Sequence, residues 1–596
     1  MPLLSRQDLD FWLYDMLDTE GLLQHPRYSD HSRETFSQTL DTAEQVAEKY
    51  FAPHNRKADE QEPWFDGEQV HTLPEIKTAF QHYVASGLLN ARLDFAEDGM
   101  QLPHVVAAAC TGYVSCANPA SAGYPFLTMA AANLIRHFAS PELQKRYLPL
   151  MRTGQAAGTM ALTEPDTGSS LADIRTSARP GPEGAYLIRG HKMYISGGDQ
   201  DITDNIIHLV LAKIEGGPPG ARGISLFLVP KWLLDQDGRP ARRNDVKLAG
   251  LLHKMGYRGT TSTVLNFGEQ GQCLGYLIGE PHQGLKYMFM MMNEARMGVG
   301  LGAAVIGYRG YSESLDYARQ RPQGRHPSAK DPQSPPIAII EHADVKRMLL
   351  AQKAYTEGAI ALCLYANHLL DRIETGSDPE QTRPLQELLD LLTPVVKSWP
   401  SEYGPKANSL AIQVLGGAGY IRDYPVEQCY RDNRLNPIHE GTQGIQALDL
   451  LGRKVWQAGG LGMQTLWQEI DTTLQLAGRD PALTEYVTAL RQALNTLQQT
   501  TDSLGSQLRQ RGPDPALANA TLYLSLLGHV VVAWLWLWQA GCASMTPETG
   551  ADNRFRAGKL QACRFFFRWE LPKIHHWARL LESGDDTCFS MQADWF

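Results

Sequence analysis

The sequence predicts an α+β multidomain protein: an N-terminal helical domain, a central β-barrel-like domain, a helical bundle and an additional C-terminal helical domain. Three observations lead there. Apolar residues recur at three- and four-residue spacing through residues 1–155 and again from residue 279. Between these stretches, residues 156–278 become short β-rich runs separated by Gly, Pro and Asp. At 596 residues the chain exceeds a single core, and length alone allows about three to five domains.

In the first segment, "SRETFSQTLDTAEQVAEKYFAPHNRKADE" carries the helical spacing, and "PELQKRYLPLMRTG" repeats it behind a proline start. In the second, "AYLIRGHKMYISGG", "NIIHLVLAKIEG", "GISLFLVPK" and "STVLNFGE" read as strands. The third, 279–457, opens on a pattern long enough for about ten helical turns, then the proline-rich loop "PQGRHPSAKDPQSPPI", then a second long helix. The Gly-rich "AGGLGM" leads into the fourth segment, 463–596, which is helical throughout. Within it, "ALANATLYLSLLGHVVVAWLWLWQ" (516–539) has no formal charge and is long enough to span a bilayer. Asn519, Ser525 and His529 interrupt it. A buried bundle helix is preferred over peripheral membrane contact or a span.

Charged residues make up 20% and apolar residues 43% of the chain, as in soluble globular proteins. The net charge of −10 argues against a nucleic-acid binder. Residues 463–596 carry eleven Lys or Arg against thirteen Asp or Glu, so they offer no basic face for DNA. The eight cysteines are scattered, with no C-x-x-C pair or metal-ligand spacing, which points to the reducing cytoplasm and to no metal. The N-terminus turns acidic within its first ten residues and has no cleavable apolar core, so no signal peptide is expected.

Four stretches have the residue types that chemistry needs. "MALTEPDTGSSLADI" (160–174) offers the small hydroxyls Thr163, Ser169 and Ser170 and a close backbone approach at Gly168. It suits the polar edge of a flat heterocycle or a phosphate, and equally a capped turn. "GHKMYISGG" (190–198) places Tyr194 and Ser196 on one strand face, as a stacking platform beside a donor or simply a strand surface. "IQVLGGAGYIRDYPVEQCYRD" (412–432) has glycines without a Rossmann context, the default for a helix ending in a glycine turn. "NPIHEGTQG" (436–444) sets Glu440 before a Gly-Thr pair. That glutamate is either a turn residue or a base.

Together and in this order, these motifs resemble the acyl-CoA dehydrogenase family over roughly residues 30–455. Residues 463–596 resemble the extra helical domain of its longer bacterial members. The resemblance implies FAD as cofactor and the α,β-dehydrogenation of medium-to-long-chain fatty acyl-CoA. Electrons would pass to an electron-transfer flavoprotein, or to O₂ if the chain were an acyl-CoA oxidase. A branched or sulfur-containing acyl group is a further alternative.

By the same resemblance Glu440 is the general base, and its backbone N–H helps to polarise the thioester carbonyl. Met160, Leu162, Thr163, Gly168 and Ser169 would contact the flavin. Tyr194 stands where most members have tryptophan, and Ser196 where threonine is usual. Gln413, Gly416 and Gly417, with Arg321 and Gln323, would reach the FAD of a neighbouring subunit, which requires a homodimer. Thr442 and Gly444 would meet the adenine end. Ser169, Asn293, Arg296 and Gly441 would bind acyl-CoA. His439 departs from the usual tyrosine, Ser170 from an aspartate, Gln428 from a basic residue and "RPQGRH" from the common loop. Relatives that carry their base on the helix of "MNEARMG" would use position 295, which is alanine here, and Glu294 is expected to face elsewhere. Val114, Ser115, Asn118 and Pro119 align with the wall closing the acyl pocket, and their small size predicts a deep cavity. The apolar 516–539 helix is expected to cover the surface through which the family pairs dimers into tetramers.

Overall fold

The computed structural model describes residues 3–329, 331, 333–545 and 551–596; two residues of the proline-rich loop, 330 and 332, lie outside that range. Its contacts divide the chain into two compact units. One comprises Glu34–Leu102 and Cys110–Gly298, the other Met1–Arg33, Pro103–Ala109 and Val299–Phe596.

The first unit is built on an eight-stranded sheet. Its strand Tyr186–Ser196 pairs with Leu274–Ile278, which pairs with Ile224–Pro230, which pairs with Asn205–Ile214. Ser177–Pro180 then bonds to Asn205–Ile214 on one side and Tyr186–Ser196 on the other, closing the ring. The β-barrel-like domain read from the strand pattern is therefore a closed barrel of five strands, extended by Ser262–Phe267, Val246–Leu251 and Ala156–Ala161. Period two sorts the side chains. Val210, Ala212, Phe227 and Val229 share a core with Ala178, Ile188 and Leu265. Their alternates Leu209, Leu211, Leu226 and Leu228 pack against Ala131, Leu134 and Ile135 of the helix Pro119–Phe138. Strands covered on both faces need near-continuous apolar sequence, and "IIHLVLA" supplies it.

The second unit is helical. Val299 onward of the helix Gly284–Gln320 packs with Ala343–Glu374 and Pro379–Leu415, followed by Val426–Asn433 and Gln443–Gly452. Glycines set the spacing of the first and third of these helices. A Cβ on Gly300 would lie 2.0 Å from the Val396 carbonyl oxygen, and one on Gly404 would lie 2.5 Å from that of Ala303. Only residues without a side chain allow this crossing.

The C-terminal helices Leu461–Ala477, Thr484–Arg511, Ala520–Met545, Ala551–Phe565 and Ile574–Glu582 complete the unit. The apolar helix Ala520–Met545 is buried within it, with 83% of its most apolar window covered. Several of its polar residues have protein partners. His529 Nδ1 accepts from Trp399 Nε1 at 3.2 Å, and Trp534 Nε1 donates to Thr473 Oγ1 at 2.7 Å. Just before it, Asn519 donates to the Asp585 carbonyl at 2.8 Å.

A buried charge cluster joins the N-terminal segment to this bundle. Lys559, with no exposed surface, reaches Asp8 Oδ1 and Glu357 Oε2, each at 2.8 Å. Its ammonium also lies 4.4 Å from the Trp12 ring, whose Nε1 donates to Gln539. Lys353 pairs with Glu357 as well. Burial by itself would raise the Asp8 pKa, but Lys559 and Lys353 overcome it and hold the carboxyl below its ordinary value. Removing one member of such a cluster strands the others in a poorly solvated site. Lys559→Met is therefore expected to destabilise the helical unit by about 3–5 kcal/mol, measured by denaturant unfolding.

Candidate active site

Glu440 lies in a tight turn between the helices Val426–Asn433 and Gln443–Gly452. Its φ is +55°, a region that non-glycine residues seldom adopt, and Gly441 follows at +90°. Holding a glutamate there costs about 1–3 kcal/mol, so surrounding bonds must enforce it. Gln446 Nε2 donates to the Glu440 carbonyl at 3.0 Å, and Lys397 Nζ donates to the Gly441 carbonyl at 2.7 Å. Thr442 caps the next helix, its hydroxyl accepting from the Ile445 N–H. Gln443 reaches back to the Ser398 carbonyl at 3.1 Å and to Glu402 at 3.3 Å. A Cβ at Gly441 would meet Gln446 Nε2 at 2.5 Å and displace that amide, and it would sit at a φ of +90° that L side chains rarely adopt.

His439 is anchored by a ladder of amides. Its Nε2 pairs with Asn436 Oδ1 at 3.1 Å, Asn436 donates to Asn433 at 2.9 Å, and Asn433 donates to Asn408 at 2.7 Å. Asn408 then donates to the Ile306 carbonyl at 3.0 Å, while Asn433 also donates to the Ala303 carbonyl. A carbonyl can only accept, so the ladder runs one way and makes His439 Nε2 a donor. Burial and, after it, the Lys397 charge push the His439 pKa down to about 3.

The other predicted flavin-contact residues lie in the barrel unit. Glu164 organises the loop that carries Leu162, Thr163, Gly168 and Ser169, just after Met160 in the strand Ala156–Ala161. Its carboxylate accepts from the N–H groups of Arg175 (2.6 Å) and Thr176 (3.0 Å) and from the Thr176 hydroxyl. Buried Lys192 bridges Glu164 and the Leu162 carbonyl, at 2.9 Å to each. Burial lowers the Lys192 pKa to about 8 against the pull of Glu164. Burial would raise the Glu164 pKa, but Lys192 and the donors of Thr176 and Arg175 hold it below its ordinary value. Next to Lys192, the Met193 N–H donates to the Thr163 carbonyl at 2.9 Å. The structure thus joins the first loop to the Tyr194 strand.

Pairing of Tyr186–Ser196 with Ser262–Phe267 slips between Lys192 and Ile195, which is a β-bulge. Tyr194 occupies it at φ +60°. The extra residue switches faces: Lys192 points into the barrel, whereas Tyr194 is 62% exposed and Ser196 is exposed beside it. Gly168 and Ser169 are exposed too, with open space at Gly168.

The remaining predicted residues fall in several places. Asn293 is half-buried and Arg296 buried in the helix Gly284–Gln320. Glu294 is held by Arg92 at 3.0 Å and Asn133 at 2.8 Å, a structural ion pair. Gln413, Gly416 and Gly417 are exposed where Pro379–Leu415 ends; Gly416 has φ +60° and ψ −134°, close to a region reserved for glycine. Arg321 and Gln323 are exposed on a short ladder with residues 337–339. Gly444 has open space at its Cα, and Thr442 is exposed. Of the residues expected to line the acyl wall, Asn118 is fully buried, accepts from the Ser121 N–H as a helix cap and donates to the Phe51 carbonyl at 3.2 Å. Val114 is buried as well.

Sequence inspection passed over Lys397, Gln443, Gln446, Lys192 and Glu164. A lone lysine within the apolar "LLTPVVKSWP" was the available signal for Lys397. His439 is expected to stay neutral from pH 5 to 9, with no imidazole titration by NMR in that range. Its folded pKa lies below the ordinary value of about 6.5, so the unfolded chain binds the proton more tightly. The His439 contribution to stability is present above that value and lost as pH falls towards 3.

The chain matches the acyl-CoA dehydrogenase N-terminal domain over residues 33–155, the middle domain over 159–269 and the C-terminal domain over 282–455. Residues 466–592 match the acetyl-CoA dehydrogenase C-terminal-like domain. A 3-methylmercaptopropionyl-CoA dehydrogenase of Ruegeria pomeroyi is 37% identical over 86% of this chain and 87% of its own. A broad-specificity linear acyl-CoA dehydrogenase of Mycobacterium tuberculosis is 32% identical over 98% of both. In fold, the chain is similar to an acyl-CoA dehydrogenase from Bacillus anthracis complexed with FAD, with TM-score 0.75 and 21% identity, covering 96% of this chain and 91% of that one. The chain belongs to the acyl-CoA dehydrogenase family, whose members are FAD-dependent oxidoreductases.

Proposed function

We propose that the protein dehydrogenates fatty acyl-CoA to trans-2-enoyl-CoA in β-oxidation, with Glu440 as the general base. One observation carries this: a glutamate held at φ +55° by bonds to both following carbonyls. Strain enforced this thoroughly is typical of residues whose position matters to a reaction.

The residues present fit FAD. A tyrosine that is both strained and 62% exposed, beside exposed Ser196, Ser169 and Gly168, offers a stacking face and a polar edge for a flat heterocycle. Tyr194 and Ser196 would lie against the flavin; Met160, Leu162, Thr163, Gly168 and Ser169 would hold its edge. Bound FAD supplies the acceptor for the hydride that leaves the β-carbon. Glu440 takes the α-proton onto its carboxylate, so the substrate loses one proton and one hydride. The Glu440 N–H donates to the thioester oxygen as charge develops there. His439, kept neutral, adds no cation that would pair with the base and weaken it.

Asn293, Arg296, Ser169 and Gly441 are assigned to the acyl-CoA. Gln413, Gly416, Gly417, Arg321 and Gln323, all exposed, are assigned to the cofactor of a second subunit, which makes the working enzyme a homodimer. Exposed Tyr420 and Ile421 beside them supply apolar surface for that contact. An electron-transfer flavoprotein would take the electrons. The cytoplasm is the assigned compartment, consistent with eight free cysteines, seven of them buried.

Medium-to-long acyl chains are the assigned substrates; that they are linear is supported by the 32% identical relative named for broad specificity towards linear acyl-CoA. A sulfur-containing acyl group is the second reading, favoured by the 37% identical 3-methylmercaptopropionyl-CoA dehydrogenase. Anaerobic mixing with linear acyl-CoAs of increasing length and with 3-methylmercaptopropionyl-CoA separates them. Faster flavin bleaching by the sulfur compound than by any linear one would select the second reading. Glu440→Gln is expected to bind FAD and acyl-CoA yet lose bleaching by at least about 10²–10⁴-fold; normal bleaching by that variant would overturn the mechanism. Peroxide formed in step with enoyl-CoA, without added acceptor, would make the protein an oxidase.

A further inference from the structure

Lys397 projects from the middle of Pro379–Leu415 and has no exposed surface. Burying an ammonium costs several kcal/mol unless its bonds repay it. One bond it makes is to the Gly441 carbonyl, one residue beyond Glu440. Gln446 holds the Glu440 carbonyl from the following helix. The two peptide planes after Glu440 are therefore pinned from two different helices, while the asparagine ladder pins the residue before it. Of these supports, Lys397 acts on the plane whose freedom is greatest, because Gly441 has no side chain to restrict it.

Its base is also rigid. Gly404, two turns along the same helix, touches the Gly284–Gln320 backbone so closely that no Cβ fits. On Lys397's C-terminal side, Trp399 and Tyr403 stack with ring centroids 4.4 Å apart and both bond His529 of the helix Ala520–Met545. A lysine on a clamped helix can fix a carbonyl to a fraction of an ångström, which a loop residue cannot.

We propose that Lys397 is a positioning residue for the dehydrogenation: it fixes the Gly441 carbonyl and so holds Glu440 in its left-handed conformation, aiming carboxylate and N–H together at the substrate. This rests on Glu440 being the base. A misplacement of about 1 Å at a reacting group costs on the order of 10²-fold in rate.

The test uses full-length, FAD-loaded enzyme and two variants. Lys397→Met removes donor and charge; Lys397→Gln keeps an N–H donor without the charge. For Lys397→Met, the anaerobic rate of flavin reduction by acyl-CoA is expected to fall by about 10²-fold, with a much smaller loss of acyl-CoA affinity through the Gly441 contact. Lys397→Gln is expected to recover part of that loss, and if Lys397→Met does not fold, its rate against wild type carries the test. Reduction at the wild-type rate by either folded variant, while Glu440→Gln is inactive, would overturn the proposal. Equal loss of rate and of acyl-CoA affinity would also overturn it, because general distortion of the site would then be the cause. Normal bleaching by Glu440→Gln would instead remove the base assignment itself.

Discussion

The close crossing of Gly284–Gln320 and Pro379–Leu415 is the constraint on which the candidate site depends. Gly300 and Gly404 let the two backbones approach to a separation that no side chain would allow, and Gly307 packs tightly against Gly404 between them. Two consequences follow from that distance. Asn408 can reach the Ile306 carbonyl and Asn433 that of Ala303, which roots the amide ladder on rigid main chain. Lys397, on the same helix, is then held at one depth beneath the Glu440 turn. An alanine at Gly300 or Gly404 would drive the helices apart and loosen ladder and lysine together.

The barrel unit solves a comparable problem with a bulge. A regular strand would place Lys192, Tyr194 and Ser196 on one face. One extra residue lets Lys192 turn inward to Glu164 and the Leu162 carbonyl, while Tyr194 and Ser196 turn outward. The same irregularity thus anchors the hydroxyl-rich loop and presents the aromatic ring. Its energetic cost is a tyrosine at φ +60°, offset by the buried Lys192–Glu164 pair and its four other hydrogen bonds.

The C-terminal helices share the core of the helical unit. Helix Ala520–Met545 inserts His529 among Trp399, Tyr403 and Phe566, and Trp536 donates to the Ala354 carbonyl at 3.0 Å. Three further elements meet at Lys559: the N-terminal segment, Ala343–Glu374 and Ala551–Phe565. A helix apolar enough to cross a membrane is here largely covered by protein, with the Trp534 and Trp536 indoles and the His529 imidazole bonded to protein.

The sequence alone determined the order of helical and β segments, because periods of 3.6 and 2 are written in the spacing of apolar residues. It also singled out Glu440, Tyr194 and the Gly416–Gly417 turn, since their neighbours form motifs of fixed local spacing. It grouped residues 1–33 with the helices up to 155, whereas their contacts are with the helical unit, and it did not show that Asn118 is a helix cap or what holds the Glu440 turn. Lys397 stands 43 positions before Glu440 in the chain, and nothing local marks the bond between its ammonium and the Gly441 carbonyl. Contacts of that kind depend on how far apart two helices pack, a distance set by glycines scattered over more than a hundred residues. That distance exists only once the helices have met.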